Sequence, residues 1–186
     1  MATAEEAVAA VRAAVAGRSG TRWVGVDGLG GAGKSTLARL LATEVPGAVV
    51  VPVDDFARPG VRPWEWDRFA RTVVGPLRAG RPARYQRWPY DSGLGLDWRE
   101  VQAGAVVVVE GVSATDVRLG IPWALTMWVE TPLADRTARI LARDGPELLD
   151  RWRREWWPSE EVYLREQNPR GRAALVVDGS ALPQQW

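Results

Sequence analysis

The segment from Val24 to Leu41, VGVDGLGGAGKSTLARLL, restricts the fold more than any other part of the chain. Within it, Gly28-Leu29-Gly30-Gly31-Ala32-Gly33-Lys34-Ser35 matches G-x-x-x-x-G-K-[S/T] at every fixed position. The glycines let the backbone curl until successive N–H groups point inward and form an anion-binding nest. A helix starting at the end of such a loop adds its positive N-terminal end. Lys34 then reaches the outer phosphates of a nucleoside triphosphate such as ATP, and the Ser35 hydroxyl can ligate Mg2+. The flanks agree. Trp23 to Asp27 is a short apolar run that predicts a buried strand, and Leu37, Leu40 and Leu41 recur afterwards at helical spacing. The expected nucleotide-binding residues are Gly28, Gly30, Gly31, Ala32, Gly33, Lys34, Ser35 and Thr36.

Residue usage narrows the chemistry. Lys34 is the only lysine among 24 basic residues, so arginine serves everywhere else. The exception marks a place where a compact ammonium on a flexible stem is needed. The chain has no histidine. A general base must then be another group, most simply a carboxylate, and a metal must be held by oxygen, which points to Mg2+. There is no cysteine, hence no disulfide and no thiolate chemistry. The net charge of +1 shows no basic surplus for nucleic acid, and no apolar run is long enough to span a membrane. The Ala-rich start carries Glu5, Glu6 and Arg12, unlike a signal peptide. The expected location is cytoplasmic and the expected partner is a small molecule.

The pattern along the chain predicts alternating strands and helices. Thr3-Ala4-Glu5-Glu6 reads as a capping box before an amphipathic helix. Ala48 to Val53, Ala105 to Val109, Leu125 to Val129 and Ala174 to Val177 read as further strands. Helices are expected from Trp64 to Ala79, from a Thr131 cap to about Asp144, and over Pro146 to Glu166. Gly80 to Leu96 shows no clear periodicity and reads as an extended or loop region. Continuously apolar strands alternating with helices predict a parallel sheet covered on both faces. One α/β domain over residues 1–186 is expected.

Carboxylates at strand ends supply candidate chemistry, because ligands of open parallel sheets bind beyond the carboxyl ends of the strands. Asp54 and Asp55 follow the second strand, and either could take the proton of an acceptor hydroxyl. Glu110 ends the strand VVVVE and could act on Mg2+ beside Ser35. Arg136, Arg139 and Arg143 fall on one helical face, where they could stabilise charge on a transferring phosphoryl group. PWEWDRF and RWPYDSG mix aromatic and acidic side chains. Phe56, Trp64, Trp66, Asp67, Trp88, Tyr90 and Asp91, with Asp55, form the expected acceptor surface, suited to stacking on a ring and accepting from hydroxyls.

Taken in order, the phosphate loop, VDDF, WEWDRF, LRAGRPARYQRWPYDSG, VVVEG, TPLADRTARILARD and PRGRAALVVDG resemble the uridine kinases and their relatives, including phosphoribulokinase and type I pantothenate kinase. The resemblance spans about Trp23 to Gly179. It implies a P-loop NTPase three-layer α/β sandwich with a five-stranded parallel sheet and a helical lid, here at about residues 143–170. It implies ATP-dependent transfer to a small-molecule hydroxyl, with Asp54 as the base and Arg136 and Arg139 contacting phosphates, and a nucleoside as the first acceptor to consider. The chain departs from the uridine enzymes at Tyr90-Asp91-Ser92-Gly93, where those have Tyr-Asp-Phe and then a base-reading histidine. At Ala57 it also lacks the tyrosine common after the Asp-x-Phe element. A sugar, vitamin precursor or antibiotic is the alternative acceptor, and a regulatory P-loop ATPase is the alternative outside the kinases.

Overall fold

A computed structural model describes residues 1–58, 64–87 and 97–182. In chain order, α1 (Ala4–Val15), β1 (Arg22–Asp27), α2 (Lys34–Glu44) and β2 (Ala48–Pro52) come first. A 3-10 turn (Val53–Phe56) precedes α3 (Trp66–Phe69), a π-helical turn (Ala70–Val74) and α4 (Gly75–Arg78), and then β3 (Ala83–Gln86) and β4 (Trp98–Val101). β5 (Val106–Glu110), β6 (Trp123–Glu130) and α5 (Leu133–Arg151) follow, and a second π-helical turn (Trp152–Trp156) joins α5 to α6 (Trp157–Gln167). α7 (Pro169–Arg172) and β7 (Leu175–Asp178) come last.

Five strands pair in parallel in the order β2-β5-β1-β6-β7. The order puts β1, and hence the phosphate loop, at the centre. Register does the rest: Glu110 pairs with both Val26 and Pro52. The ends of β1, β2 and β5 therefore stand level and open on one edge.

Side-chain alternation explains why the strands are apolar throughout. Val24, Val26, Val106, Val108 and Met127 face α1 and α2 and pack with Val8, Val11, Leu37 and Leu41. Trp23, Val51, Val107 and Val109 face the other way, onto Phe56, Trp64, Phe69 and Val73. β1 and β5 thus feed both cores, and each fully buried side chain of this size contributes about 1.5–3 kcal/mol. The expected capping box forms at α1: Thr3 Oγ1 accepts from the Glu6 N–H at 3.2 Å, and Glu6 Oε2 accepts from the Thr3 N–H at 2.8 Å.

Two local expectations differ from the structure. Trp98–Val101 forms a strand that was not expected, and this β4 pairs antiparallel with β3 inside the expected extended or loop region, Ala83 facing Val101 and Gln86 facing Trp98. β3 alternates, with Ala83 and Tyr85 buried and Arg84 exposed, but β4 buries only Val101, so no alternation marks it as a strand. Thr131 does not cap α5; Pro132 holds the cap position. The Thr131 hydroxyl instead donates to the Ala32 carbonyl at 2.8 Å, tying β6 to the phosphate loop. Among the described residues no helix is long and apolar enough to cross a membrane.

Candidate active site

The loop is built as the sequence requires. Gly31 and Gly33 have φ of 77° and 100°, which glycine adopts without strain. Gly28 is also held by contact, since a Cβ there would lie 2.7 Å from the Val129 carbonyl oxygen. Behind the loop sits Asp27, 1 % exposed and with no ion pair among the described residues. Its carboxylate accepts from the backbone N–H of Gly28, Ser113 and Thr115, the Thr115 hydroxyl and the Tyr163 hydroxyl, at 2.7–3.1 Å. Five donors replace the water this carboxylate gives up. They also fasten the end of β1, the loop after β5 and helix α6 to one point.

A cleft of about 360 Å3 opens on the phosphate loop, and its walls include Lys34, Ser35, Asp54, Glu110, Arg139 and Arg143. Lys34 is nearly buried, and its Nζ donates to the Leu29 carbonyl at 2.9 Å, so the ammonium lies folded against the loop. The Ser35 hydroxyl stands 3.2 Å from each Glu110 carboxylate oxygen. Burial, and then the negative charge of Asp54, push the Glu110 carboxyl up to about 7. The donors at this point are all hard oxygens, which fits Mg2+. Among the described residues no three acidic side chains form a complete ion site, so phosphate oxygens would have to complete the shell.

A second cleft of about 320 Å3 lies alongside, lined by Val53, Ala57, Trp64, Leu148, Trp152 and Trp156, with Asp144, Ser159 and Glu160 as polar groups. Asp54, Val112, Arg143 and Trp152 line both clefts. The two neighbouring aspartates are therefore distinct. Asp54 is exposed at the junction of the clefts. Asp55 is buried, accepts from the Tyr85 hydroxyl at 2.9 Å and pairs with Arg87 at 3.3 Å. Burial raises the pKa of Asp55, opposed by the Tyr85 hydrogen bond and by Arg87. It lines neither cleft.

The arginine face of α5 packs on the loop, with Arg139 and Arg143 reaching the wall of the first cleft. Arg136 is buried and donates to the Gly30 carbonyl at 3.2 Å. Arg139 donates to the carbonyls of Gly31, Ala32 and Gly179 at 2.9–3.4 Å. Arg143 makes a two-pronged pair with Asp144, both contacts 2.7 Å. Beyond Arg143 the helix breaks at Gly145, with φ 80° and ψ 173°, and turns across the clefts. This brings Trp152 onto Gly30, where a Cβ would meet its ring at 2.4 Å. It also brings Glu160 Oε1 to the Gly30 N–H at 2.8 Å.

The structure brings Lys34, Ser35, Asp54, Glu110 and Arg139 to one cleft and leaves Arg136 beneath it. Of the expected acceptor surface, Trp64 lines the second cleft, its Nε1 donating to Ser113 Oγ at 3.0 Å. Phe56 lies in the core against Phe69 and Tyr85. Trp66 packs edge-on against Trp64 beneath the Arg118 guanidinium, and Asp67 is exposed; neither lines a cleft. Trp88, Tyr90 and Asp91 lie outside the described residues. Asp27, Trp152, Trp156 and Glu160 were not expected at the site. The Trp-rich helix from Pro146 was visible in the sequence, but only the kink at Gly145 turns it toward the loop.

No protein-family model and no curated protein matches the sequence. Solved structures do match over nearly the whole chain. A possible uridine kinase from Bacillus stearothermophilus superimposes with a TM-score of 0.69 at 17% identity, covering 94% of this chain and 98% of that one. A candidate fructose transport system kinase from a Silicibacter species superimposes with a TM-score of 0.72 at 20% identity, covering 95% and 99%. The chain therefore shares the fold of these two structures, an α/β architecture on a five-stranded parallel sheet.

Proposed function

We propose that the protein is an ATP-dependent kinase that transfers the γ-phosphoryl group to a hydroxyl of a small, ring-bearing molecule, a nucleoside being the first candidate. The observation that carries this reading is the position of Asp54 on the wall shared by two clefts, one of which is built on the phosphate loop. A switch or motor needs one nucleotide cleft. A phosphotransferase needs a second compartment, with a base at the junction.

In this reading the phosphate-loop N–H groups, Lys34 and the start of α2 hold the triphosphate. Ser35 and Glu110 would hold Mg2+, which supplies charge neutralisation on the phosphates when bound. The acceptor rests against Trp152 and Trp156, whose ring centroids are 4.7 Å apart, with its hydroxyl toward Asp54. Asp54 takes the hydroxyl proton as the acceptor oxygen bonds to the γ-phosphorus. The bond from that phosphorus to the bridging oxygen breaks, and the diphosphate leaves. Arg139 and Arg143 face the transferring group and stabilise its charge. The helices beyond Gly145 act as a lid that excludes water. Both structural neighbours bear kinase names, which supports the reaction class and leaves the acceptor open.

The test is a panel of nucleosides, sugars and other hydroxyl metabolites incubated with ATP and Mg2+, with products read by mass shift. Addition of one phosphoryl group to one class of acceptor supports the reading. ATP hydrolysis that no acceptor stimulates would instead favour a regulatory ATPase.

A further inference from the structure

One N–H of the phosphate loop is already taken. The Gly30 N–H donates to Glu160 Oε1 at 2.8 Å, a bond between residues 130 apart in the chain. Glu160 is 4 % exposed. Its other carboxylate oxygen lies 3.7 Å from Arg136, and the Lys34 ammonium also attracts it. A buried carboxylate needs such partners. A loop N–H and the loop lysine are also what an outer phosphate needs. Trp152 closes the arrangement by packing directly on Gly30. Glu160 and Trp152 both line the second cleft as well.

We infer that Glu160 is an internal stand-in for the outer phosphate and a positioning residue for the acceptor. An incoming triphosphate in the cleft brings anionic oxygens to the same loop and to Lys34, which lines that cleft. Two anions in one water-poor position repel each other, so the carboxylate leaves the Gly30 N–H. It then turns into the acceptor cleft that it already lines, where it accepts a hydrogen bond from the acceptor. Donor binding thereby completes the acceptor site. This rests on the phosphate-loop reading and not on the identity of the acceptor.

The test is calorimetric binding of a non-hydrolysable ATP analogue and of ADP, each with Mg2+, to the full chain. Glu160→Gln is nearly isosteric and keeps an acceptor for the Gly30 N–H while removing the charge. The analogue should bind this variant about tenfold more tightly than wild type. ADP should gain less, because the Lys34 end of the loop serves the outer phosphates. Glu160→Ala, which frees the N–H altogether, should shift affinity in the same direction. Thermal unfolding without nucleotide identifies variants that stay folded. Unchanged or weaker analogue binding by a folded Glu160→Gln protein overturns the inference, as does an equal gain for ADP. A wild-type protein that binds neither nucleotide overturns the phosphate-loop reading itself, a result distinct from the other two.

Discussion

The Ser35 hydroxyl bridges both oxygens of Glu110 at 3.2 Å, joining the last residue of the phosphate-loop motif to the end of β5. The contact forms because β5 is hydrogen-bonded beside β1 and Glu110 stands level with Val26. It holds a carboxylate where burial opposes its charge.

That opposition predicts a pH dependence of stability without nucleotide or metal. Glu110 is raised from 4.5 to about 7, so the folded state binds its proton more tightly than the unfolded chain. Its contribution is fully present below about pH 4.5 and is lost as pH rises through about 7, a difference on the order of 3 kcal/mol. Glu110→Gln should flatten the loss over this window. Thermal unfolding of both proteins from pH 4.5 to 8 in chelator checks it, and parallel curves would assign the loss to another group.

Lys34→Ala should abolish turnover and weaken ATP binding, since the loop then has no ammonium for the outer phosphates. The ammonium donates to the Leu29 carbonyl and faces the buried carboxylates Glu110 and Glu160, so thermal melts must accompany the kinetics to show that the variant stays folded. Near-normal turnover by this variant would remove the phosphate loop from the mechanism.

Asp54→Asn should lower kcat by about 10²-fold or more with little change in ATP affinity, as for loss of a general base. Asp55→Asn keeps an acceptor for the Tyr85 hydroxyl and should leave kcat near wild type. Asp55→Ala strands that buried hydroxyl and should cost about 1–3 kcal/mol of stability. Steady-state kinetics with the acceptor from the mass-shift panel, and thermal melts, separate the two. The reverse kinetic pattern would make Asp55 the base.

Trp156→Ala should raise the acceptor KM and leave the ATP KM unchanged, because Trp156 lines the second cleft and not the first. Trp66→Ala should act on stability instead. It removes an edge-on contact with Trp64 and the ring beneath Arg118, together worth about 1–3 kcal/mol. An acceptor KM that responds to Trp66 and not to Trp156 would place the acceptor elsewhere.

What the sequence determined by itself was set by local rules. The phosphate loop is eight consecutive residues, so its spacing is its geometry. Strand and helix order follows from apolar periodicity, and the α1 cap from side chains three residues apart. Tertiary structure decided what depends on distant segments meeting. Asp54 and Asp55 are adjacent and chemically identical, yet one opens on both clefts and the other is committed to Tyr85 and Arg87, thirty or more residues away. Helical spacing put Arg136 and Arg139 on one face, but only packing shows that both hold the loop's carbonyls. Glu160 looked like any charge on a polar helix. Its place at the Gly30 N–H arises from a kink at Gly145 and the fastening of Tyr163 to Asp27, neither of which has a periodic signature.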